Sequence, residues 1–272
     1  MSSKPLNSHE EYLKKKKRRK LIKRGLILFV FLSFIAGLSY ASYRPHIRIS
    51  NIETTGETLI SLDDIKSKSL AFISGSYFWL FPKNNSFLYP NSKLENHLKD
   101  TFKRIDSVSV GLKDLKTLKV DIVERKPDSI WCDNLTPENC YFMDKDGVIF
   151  DNAPQFSGDA YFKHYGFISG EPIGKQYMAS TTQFKNIKDF VSTARLLSLK
   201  PVYITVNDKE EFTLVIAGGG KIYFDMREPM ERVISNFEAL FRIKDFATST
   251  TKNLEIDYID LRFGNKLFYK LK

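Results

Sequence analysis

The stretch GLILFVFLSFIAGLSYASY, residues 25–43, decides the architecture of this chain, because its nineteen residues contain no charge. A helix of that length spans about 28 Å at 1.5 Å per residue, close to the ~30 Å hydrocarbon core of a bilayer. Tyr40 and Tyr43 stand where an interfacial belt of aromatic residues would lie. We therefore predict a transmembrane helix over residues 25–43.

A strongly basic segment precedes this stretch. Residues 1–24 carry ten Lys and Arg side chains against two acidic ones, a balance of +8, so the rest of the chain accounts for only +2 of the net charge of +10. By the positive-inside rule, the nine basic residues between Lys14 and Arg24 hold this tail in the cytoplasm and place the rest of the chain outside. The same distribution argues against nucleic-acid binding, since a domain that binds a polyanion needs a basic surface of its own.

A cleaved signal peptide is the alternative to a retained anchor. Ser39, Tyr40 and Ala41 place small residues at a spacing that signal peptidase accepts. The basic segment and the apolar run are both longer than in an ordinary signal peptide, which favours the anchor. Under either interpretation the residues from about position 44 onward lie outside the cytoplasm.

The first part of this ectodomain, residues 46–126, follows the order strand, helix, helix, strand, strand. Residues 46–55 alternate between polar and apolar side chains, which is typical of a strand. Ser61 is the expected cap of the first helix, with Asp63 and Asp64 in its first turn. The remaining three elements are predicted over residues 91–102, 105–112 and 115–124.

Residues 127–272 are predicted to form a β-rich domain with packed helices, which makes the whole chain α+β. Residues 151–178 show no clear period, and Gly264-Asn265 is either a bulge or a tight turn in the last predicted strand. The strands are predicted at 129–132, 141–150 (interrupted by a turn at 144–147), 202–206, 212–217, 221–225 and 254–271, and the helices at 181–199 and from about Pro229.

Motifs that resemble catalytic, metal or cofactor sites fail on their spacing. Residues 144–147 begin like a calcium loop, but the position that requires Glu is Ala153. The glycines before Lys221 are followed by a strand instead of a helix, as in a hairpin turn. The four histidines are scattered. We expect a non-enzyme with no cofactor, no metal and no small-molecule substrate, in which Glu124 and Arg125 form a structural ion pair.

Two cysteines, Cys132 and Cys140, occur in the whole chain. Seven residues separate them, so a small-loop disulfide is feasible in an oxidising compartment. Two free thiols in a reducing or disulfide-poor host are the alternative, and the sequence does not decide between them.

Several of these segments, taken in order, resemble the FtsQ/DivIB family of bacterial cell-division proteins. The resemblance extends from about residue 14 to the end of the chain, although the loop around residues 74–90 is longer than is usual in the family. The segments are the Thr55-Gly56 end of the first strand, the Ser61-capped helix, IDSVSV at 105–110, LKVDIVERKPDSIW at 118–131, YFMDKDGVIF at 141–150 and LEIDYIDLRFGNKLFYK at 254–270.

The resemblance implies a POTRA domain over residues 46–126 and a family-type β domain over residues 127–272. It also implies a single-pass inner-membrane protein at the division septum, which acts as a non-catalytic divisome scaffold. Its expected partners are the lipid bilayer and small single-span coiled-coil division proteins of the FtsB/FtsL type, which dock on the last strands.

The last strand is the expected binding site. A terminal strand has a neighbour on one side at most unless the sheet closes, so its outer edge can accept a strand from another protein. Phe263, Lys266, Phe268 and Tyr269 are the predicted contact residues. The alternative is that these aromatic side chains fill the core of the domain.

Two other functions remain open at this point. One is a POTRA-bearing membrane protein that handles translocated polypeptides, although such proteins carry several POTRA copies or an outer-membrane barrel. The other is an anchored extracytoplasmic hydrolase, although the common hydrolase motifs are missing from the sequence.

Overall fold

The computed structural model describes residues 7–56, 59–133, 139–155, 160–207, 211–243, 246 and 255–272. The chain divides into two compact units, Met1–Val123 and Glu124–Lys272. Both units combine helices with β-sheet, and a long apolar helix begins the first one. The predicted α+β class is therefore confirmed.

Helix α1, Asn7–Ser42, joins the basic segment and the uncharged stretch into one continuous element. Its part from Glu11 to Ser42 is long and apolar enough to cross a bilayer, and its most apolar window has no residue buried against the protein. Length and composition thus allow α1 to serve as a membrane anchor or as a signal segment.

The rest of the first unit is a three-stranded sheet with two helices. The strand order is β1-β5-β4, with β1 parallel to β5. Its elements are β1 (Asn51–Thr55), α2 (Leu62–Phe72), β2 (Ser76–Tyr77), β3 (Phe81–Pro82), α3 (Asn91–Thr101), β4 (Ile105–Asp114) and β5 (Thr117–Glu124).

The predicted order of the first unit is confirmed, with two differences. Strand β1 begins later than predicted, because Pro45–Ile47 forms a 3₁₀ turn. A small antiparallel hairpin, β2–β3, forms in the segment that was predicted as a loop. The predicted cap is present, since the Ser61 hydroxyl accepts a hydrogen bond of 3.3 Å from the backbone N–H of Asp64. The core contains Ile52, Ile65, Leu94, Leu98, Ile105, Leu118 and Val120.

The second unit is built on a nine-stranded mixed sheet in the order β14-β13-β12-β11-β10-β9-β6-β7-β8. Its strands are β6 (Ser129–Cys132), β7 (Cys140–Met143), β8 (Ile149–Asn152), β9 (Lys163–Tyr165), β10 (Pro201–Val206), β11 (Glu211–Ile216), β12 (Lys221–Asp225), β13 (Ile256–Phe263) and β14 (Lys266–Leu271). Two helices accompany them, α4 (Thr181–Leu196) and α5 (Met230–Leu240).

One face of this sheet holds the main core. Alternate side chains of the central strands pack with α4 and α5, as expected for a sheet that buries one face. Phe190 of α4 lies at the centre, with its ring 4.1 Å from that of Phe224 and 5.0 Å from that of Phe237. A smaller cluster around Ile130 and Tyr165 forms elsewhere in the unit.

The end of the chain is a hairpin. Phe263 pairs with Lys266, so Gly264 and Asn265 form a tight two-residue turn, and Gly264 has a φ of 60°. An irregularity between Asp260 and Phe263 precedes the turn. The predicted start of the last strand, Leu254, lies outside the described residues.

Candidate functional site

Strand β14 forms one edge of the nine-stranded sheet, where β13 is its sheet neighbour. The two strands run antiparallel, with Ile259 opposite Tyr269 and Asp260 opposite Phe268. The outer side of β14 meets no further strand among the described residues. An edge of this kind can accept a strand from another chain.

The side chains of β14 alternate between two environments. Leu267, Tyr269 and Leu271 pack partly against the main core. Lys266 and its alternate neighbours in the strand are exposed. Because successive side chains of a strand point to opposite faces, β14 combines a position at the sheet edge with one face that is open to solvent.

An aromatic pair stands on the open face of the hairpin. The rings of Phe263 and Phe268 meet edge to face with centroids 5.2 Å apart. Each ring belongs to a side chain that remains about half exposed, at 54% for Phe263 and 49% for Phe268. The turn between them is held by Asn236 of α5, whose side-chain amide donates a hydrogen bond of 2.8 Å to the carbonyl of Gly264. We call Phe263 and Phe268 the aromatic pair.

The four predicted contact residues therefore lie in two environments. Phe263, Lys266 and Phe268 are at the solvent surface beside the turn. Tyr269 faces the other way and is half-buried, with its ring 5.1 Å from that of Phe246. The structure brings three of the four residues together on one surface and places Tyr269 beneath it.

A charged cluster adjoins the open face, and sequence reasoning missed it. The guanidinium of Arg262 donates hydrogen bonds of 2.9 and 2.6 Å to the two carboxylate oxygens of Asp260. It also lies 3.5 Å from Glu211 and stacks over the ring of Tyr223 at 5.2 Å. Burial raises the pKa of the Asp260 carboxyl, but the hydrogen bonds from Arg262 outweigh it and leave that pKa below its ordinary value.

This cluster has a structural role at the base of the hairpin. Its members come from β11, β12 and β13, so they tie three neighbouring strands together beside β14. The alternation of Asp260 and Arg262 along one strand was the available signal, since residues i and i+2 share a face.

Cys132 and Cys140 stand opposite each other in the β6–β7 pair and are joined by a disulfide. The bond links the ends of a segment that includes residues 134–138, which lie outside the described residues.

The predicted turn at residues 144–147 is organised by Asp144. One carboxylate oxygen accepts hydrogen bonds of 2.9 Å from the backbone N–H groups of both Asp146 and Val148. The other accepts a hydrogen bond from Arg125. Arg125 thus forms an ion pair with Asp144, which is buried.

His164 is the single histidine of residues 124–272, and its side chain is buried. Burial lowers its pKa to about 3, with smaller contributions from Lys188 and Arg195. Its ring lies 5.1 Å from that of Phe162 and 5.2 Å from that of Tyr177. At neutral pH His164 is therefore an uncharged member of an aromatic cluster. In the part of the chain that the structure describes, no three His, Cys, Asp or Glu side chains come together as a metal site would need.

No family model matches the chain. Two relatives match the chain by sequence. Both are named cell division protein DivIB, and they come from Clostridium botulinum strain Hall and strain Loch Maree. Each is 27% identical to this chain over 192 residues, which is 69% of this chain and 69% of the relative. These relatives confirm the resemblance of the chain to the FtsQ/DivIB family of bacterial cell-division proteins.

Proposed function

We propose that this protein is a membrane-anchored cell-division scaffold of the DivIB type, which acts by binding other division proteins. The DivIB relatives support a role in cell division. The observation that carries the proposed binding role is the position of β14 at the edge of the sheet, beside the exposed aromatic pair.

The edge and the aromatic pair complement each other as a binding site. A partner strand added to β14 would form main-chain hydrogen bonds along the edge, which give affinity with little dependence on sequence. The rings of Phe263 and Phe268 would supply the apolar area and the specificity, as aromatic anchors do at many interfaces. Lys266 beside them would favour an acidic side chain on the partner.

The proposed partners are small single-span coiled-coil division proteins of the FtsB/FtsL type. Their ectodomains would lie on the same side of the membrane as the second unit if α1 spans the bilayer with the basic segment in the cytoplasm. In this proposal α1 is a retained anchor. Support comes from the hydrogen bond of 2.6 Å that the Ser39 hydroxyl donates to the Leu80 carbonyl, which ties the helix to the folded module next to the cleavage position considered above.

The test is co-purification from the organism's own membranes with tagged full-length protein. We expect the wild-type chain to recover two small single-span coiled-coil proteins, and Phe268→Asp to lose both. Phe167→Asp is the matched control, because Phe167 is an exposed aromatic residue of the same unit that lies outside the hairpin. Both variants should unfold cooperatively on heating.

Three results would contradict the proposal. Unfolding of Phe268→Asp would mean that Phe268 belongs to the core. Recovery of secretion or outer-membrane components in place of division proteins would favour the handling of translocated polypeptides. Hydrolysis of wall material by the purified full-length chain would favour the anchored hydrolase.

A further inference from the structure

One segment of the first unit is almost free of charge. Residues 69–92 lie between Lys68 and Lys93 and contain a single charged side chain, Lys83, in a chain of which 27% is charged. The segment includes the β2–β3 hairpin and seven aromatic residues, namely Phe72, Tyr77, Phe78, Trp79, Phe81, Phe87 and Tyr89. Such a composition is unusual for a surface segment that faces water.

The tip of this hairpin presents large apolar side chains in an unfavourable backbone conformation. Phe78 and Trp79 are 85% and 92% exposed. Their φ angles are 49° and 59°, in the left-handed region that favours Gly and Asn. A hydrogen bond of 2.9 Å from the N–H of Leu80 to the carbonyl of Tyr77 closes the turn. The turn therefore holds two bulky aromatic side chains away from the protein, where they contact little of it.

Hydrogen bonds fix this tip against the C-terminal end of α1. The Ser39 hydroxyl donates to the Leu80 carbonyl at 2.6 Å, and the Tyr43 hydroxyl donates to the Trp79 carbonyl at 3.4 Å. Since one helical turn rises 5.4 Å, the backbone of the tip lies at the height of the last turn of the uncharged stretch 25–43.

Exposed aromatic residues next to the hairpin in the chain and near the end of α1 share this character. Phe87 is 73% exposed and follows the hairpin closely in the chain. Tyr40, on the last turns of α1, is 68% exposed, and the guanidinium of Arg44 lies 4.7 Å from the centre of its ring. Aromatic rings beside a basic side chain at the end of an apolar helix are typical of the boundary between hydrocarbon and lipid headgroups.

We infer that the β2–β3 hairpin is a second membrane contact, which places the rings of Phe78 and Trp79 in the interfacial layer of the outer leaflet. The inference rests on the proposed role of α1 as a transmembrane anchor. Lipid is the partner because the tip is fixed to the same helix that would cross the bilayer, at the end of its apolar span. The hairpin would thereby resist tilting of the module on its anchor, since two points of contact fix an orientation that a single helix leaves free.

Trp79 is itself a suitable reporter. The chain has two tryptophans, and the other, Trp131, is buried in the second unit. Trp131→Phe therefore leaves Trp79 as the single tryptophan of the full-length protein. The variant is reconstituted into nanodiscs of phosphatidylcholine and phosphatidylglycerol, which contain lipids brominated either near the headgroup or deep in the acyl chain. Nanodiscs leave both membrane faces accessible to iodide.

We expect three signals from Trp79. Its emission shifts to the blue relative to free tryptophan, shallow brominated lipid quenches it more strongly than deep brominated lipid, and aqueous iodide quenches it weakly. The standard for a water-exposed ring is Phe167→Trp in a chain that lacks Trp79 and Trp131. This standard should be quenched by iodide and insensitive to brominated lipid.

The failures of the two proposals are distinguishable. A chain that does not co-elute with the discs overturns the anchor proposal and this inference together. A chain that co-elutes, but in which iodide quenches Trp79 as strongly as the Phe167→Trp standard and brominated lipid has no effect, overturns this inference alone. Two further variants test insertion of the tip directly. Quenching of Trp79 fluorescence by brominated lipid should survive Phe78→Ser and be lost in Phe78→Asp, because a charge resists transfer into the interface far more than a hydroxyl does.

Discussion

The side-chain amide of Asn85 donates a hydrogen bond of 2.9 Å to the backbone carbonyl of Ser42, the last residue of α1. Both residues are buried. The carbonyl at this position has no partner within the helix, as is general for the last turn. The carbonyl oxygen of the same Asn85 side chain accepts a hydrogen bond of 2.9 Å from the N–H of Phe87. One side chain thus joins the end of the long helix to the folded module.

Replacing Asn85 should loosen that connection. Asn85→Asp keeps the acceptor for Phe87 but removes the donor to Ser42, so we expect a loss of about 1–3 kcal/mol in local stability. Amide hydrogen exchange of the peptides around residues 80–90 measures it, and exchange there should accelerate. Asn84→Ala is the matched control, since the side-chain contacts of Asn84 are both longer, at 3.3 Å. Equal acceleration in the two variants would contradict the assigned role of Asn85.

Local patterns predicted the first unit well. The Ser61 cap and the apolar spacing of Leu94 and Leu98 follow from short-range rules, and the order of elements came from them. The β2–β3 hairpin could not be predicted, because Phe78 and Trp79 are poor residues for the positive φ that its turn requires. That turn is stabilised by partners on α1, which are distant in sequence.

Strand β9 was missed for a similar reason. Its three residues, Lys163–Tyr165, show no alternation long enough to be recognised. It exists because β6 and β10 pair with it from both sides, and each of those pairings joins distant parts of the chain. The position of β9 in the sheet is therefore a tertiary effect.

The candidate binding surface was predictable in part. Alternation along β14 separates Lys266 and Phe268 from Tyr269, and the solvent face is the one on which a partner would bind. Of the charged cluster around Arg262, only the Asp260–Arg262 pair was predictable, because Glu211 and Tyr223 come from strands whose register the sequence does not give.

Asp144 should be among the most sensitive positions of the second unit. Asp144→Ala leaves two backbone N–H groups and the Arg125 guanidinium without this carboxylate, so we expect about 3–5 kcal/mol of destabilisation. Asp144→Asn should cost less, because its amide oxygen still accepts from the N–H groups of Asp146 and Val148. The free energy of unfolding of both variants is measured by urea unfolding in a Trp79→Phe chain, with Trp131 fluorescence as the signal.

A calcium titration of the same samples separates the turn from a metal site. Because Asp144 is occupied by the backbone and by Arg125, added calcium should leave the unfolding midpoint of the wild-type chain unchanged. A calcium-dependent rise in the midpoint that Asp144→Asn abolishes would refute the structural assignment.

The disulfide between Cys132 and Cys140 should stabilise the second unit by limiting the freedom of the unfolded chain. For a loop this short the chain-entropy relation gives about 2.5 kcal/mol. We expect a reducing agent to lower the urea midpoint of the wild-type protein and to leave that of Cys132→Ala/Cys140→Ala unchanged. If the unfolded wild-type protein shows two reactive thiols before any reducing agent is added, the two cysteines are not joined by a disulfide.

The stability of the second unit in mild acid should depend on His164. Its pKa is about 3 in the folded protein, against an ordinary value of 6.5. Between these values the unfolded chain binds a proton that the folded chain does not, so the unfolding free energy falls as the pH decreases, by about 1.4 kcal/mol per pH unit. Above about pH 6.5, the ordinary pKa of histidine, His164 makes no contribution to the pH dependence of the unfolding free energy.

His164→Phe should remove that dependence, because the new ring keeps the aromatic contacts with Phe162 and Tyr177 and cannot be protonated. Urea unfolding of the second unit, followed by Trp131 in a Trp79→Phe chain, should show that the wild type loses about 2 kcal/mol more than the variant between about pH 7 and about pH 5. His46→Gln, at an exposed position, is the control for the loss of a histidine. Equal losses in the wild type and His164→Phe would show that His164 accepts its proton without unfolding, through rearrangement of the aromatic cluster around it.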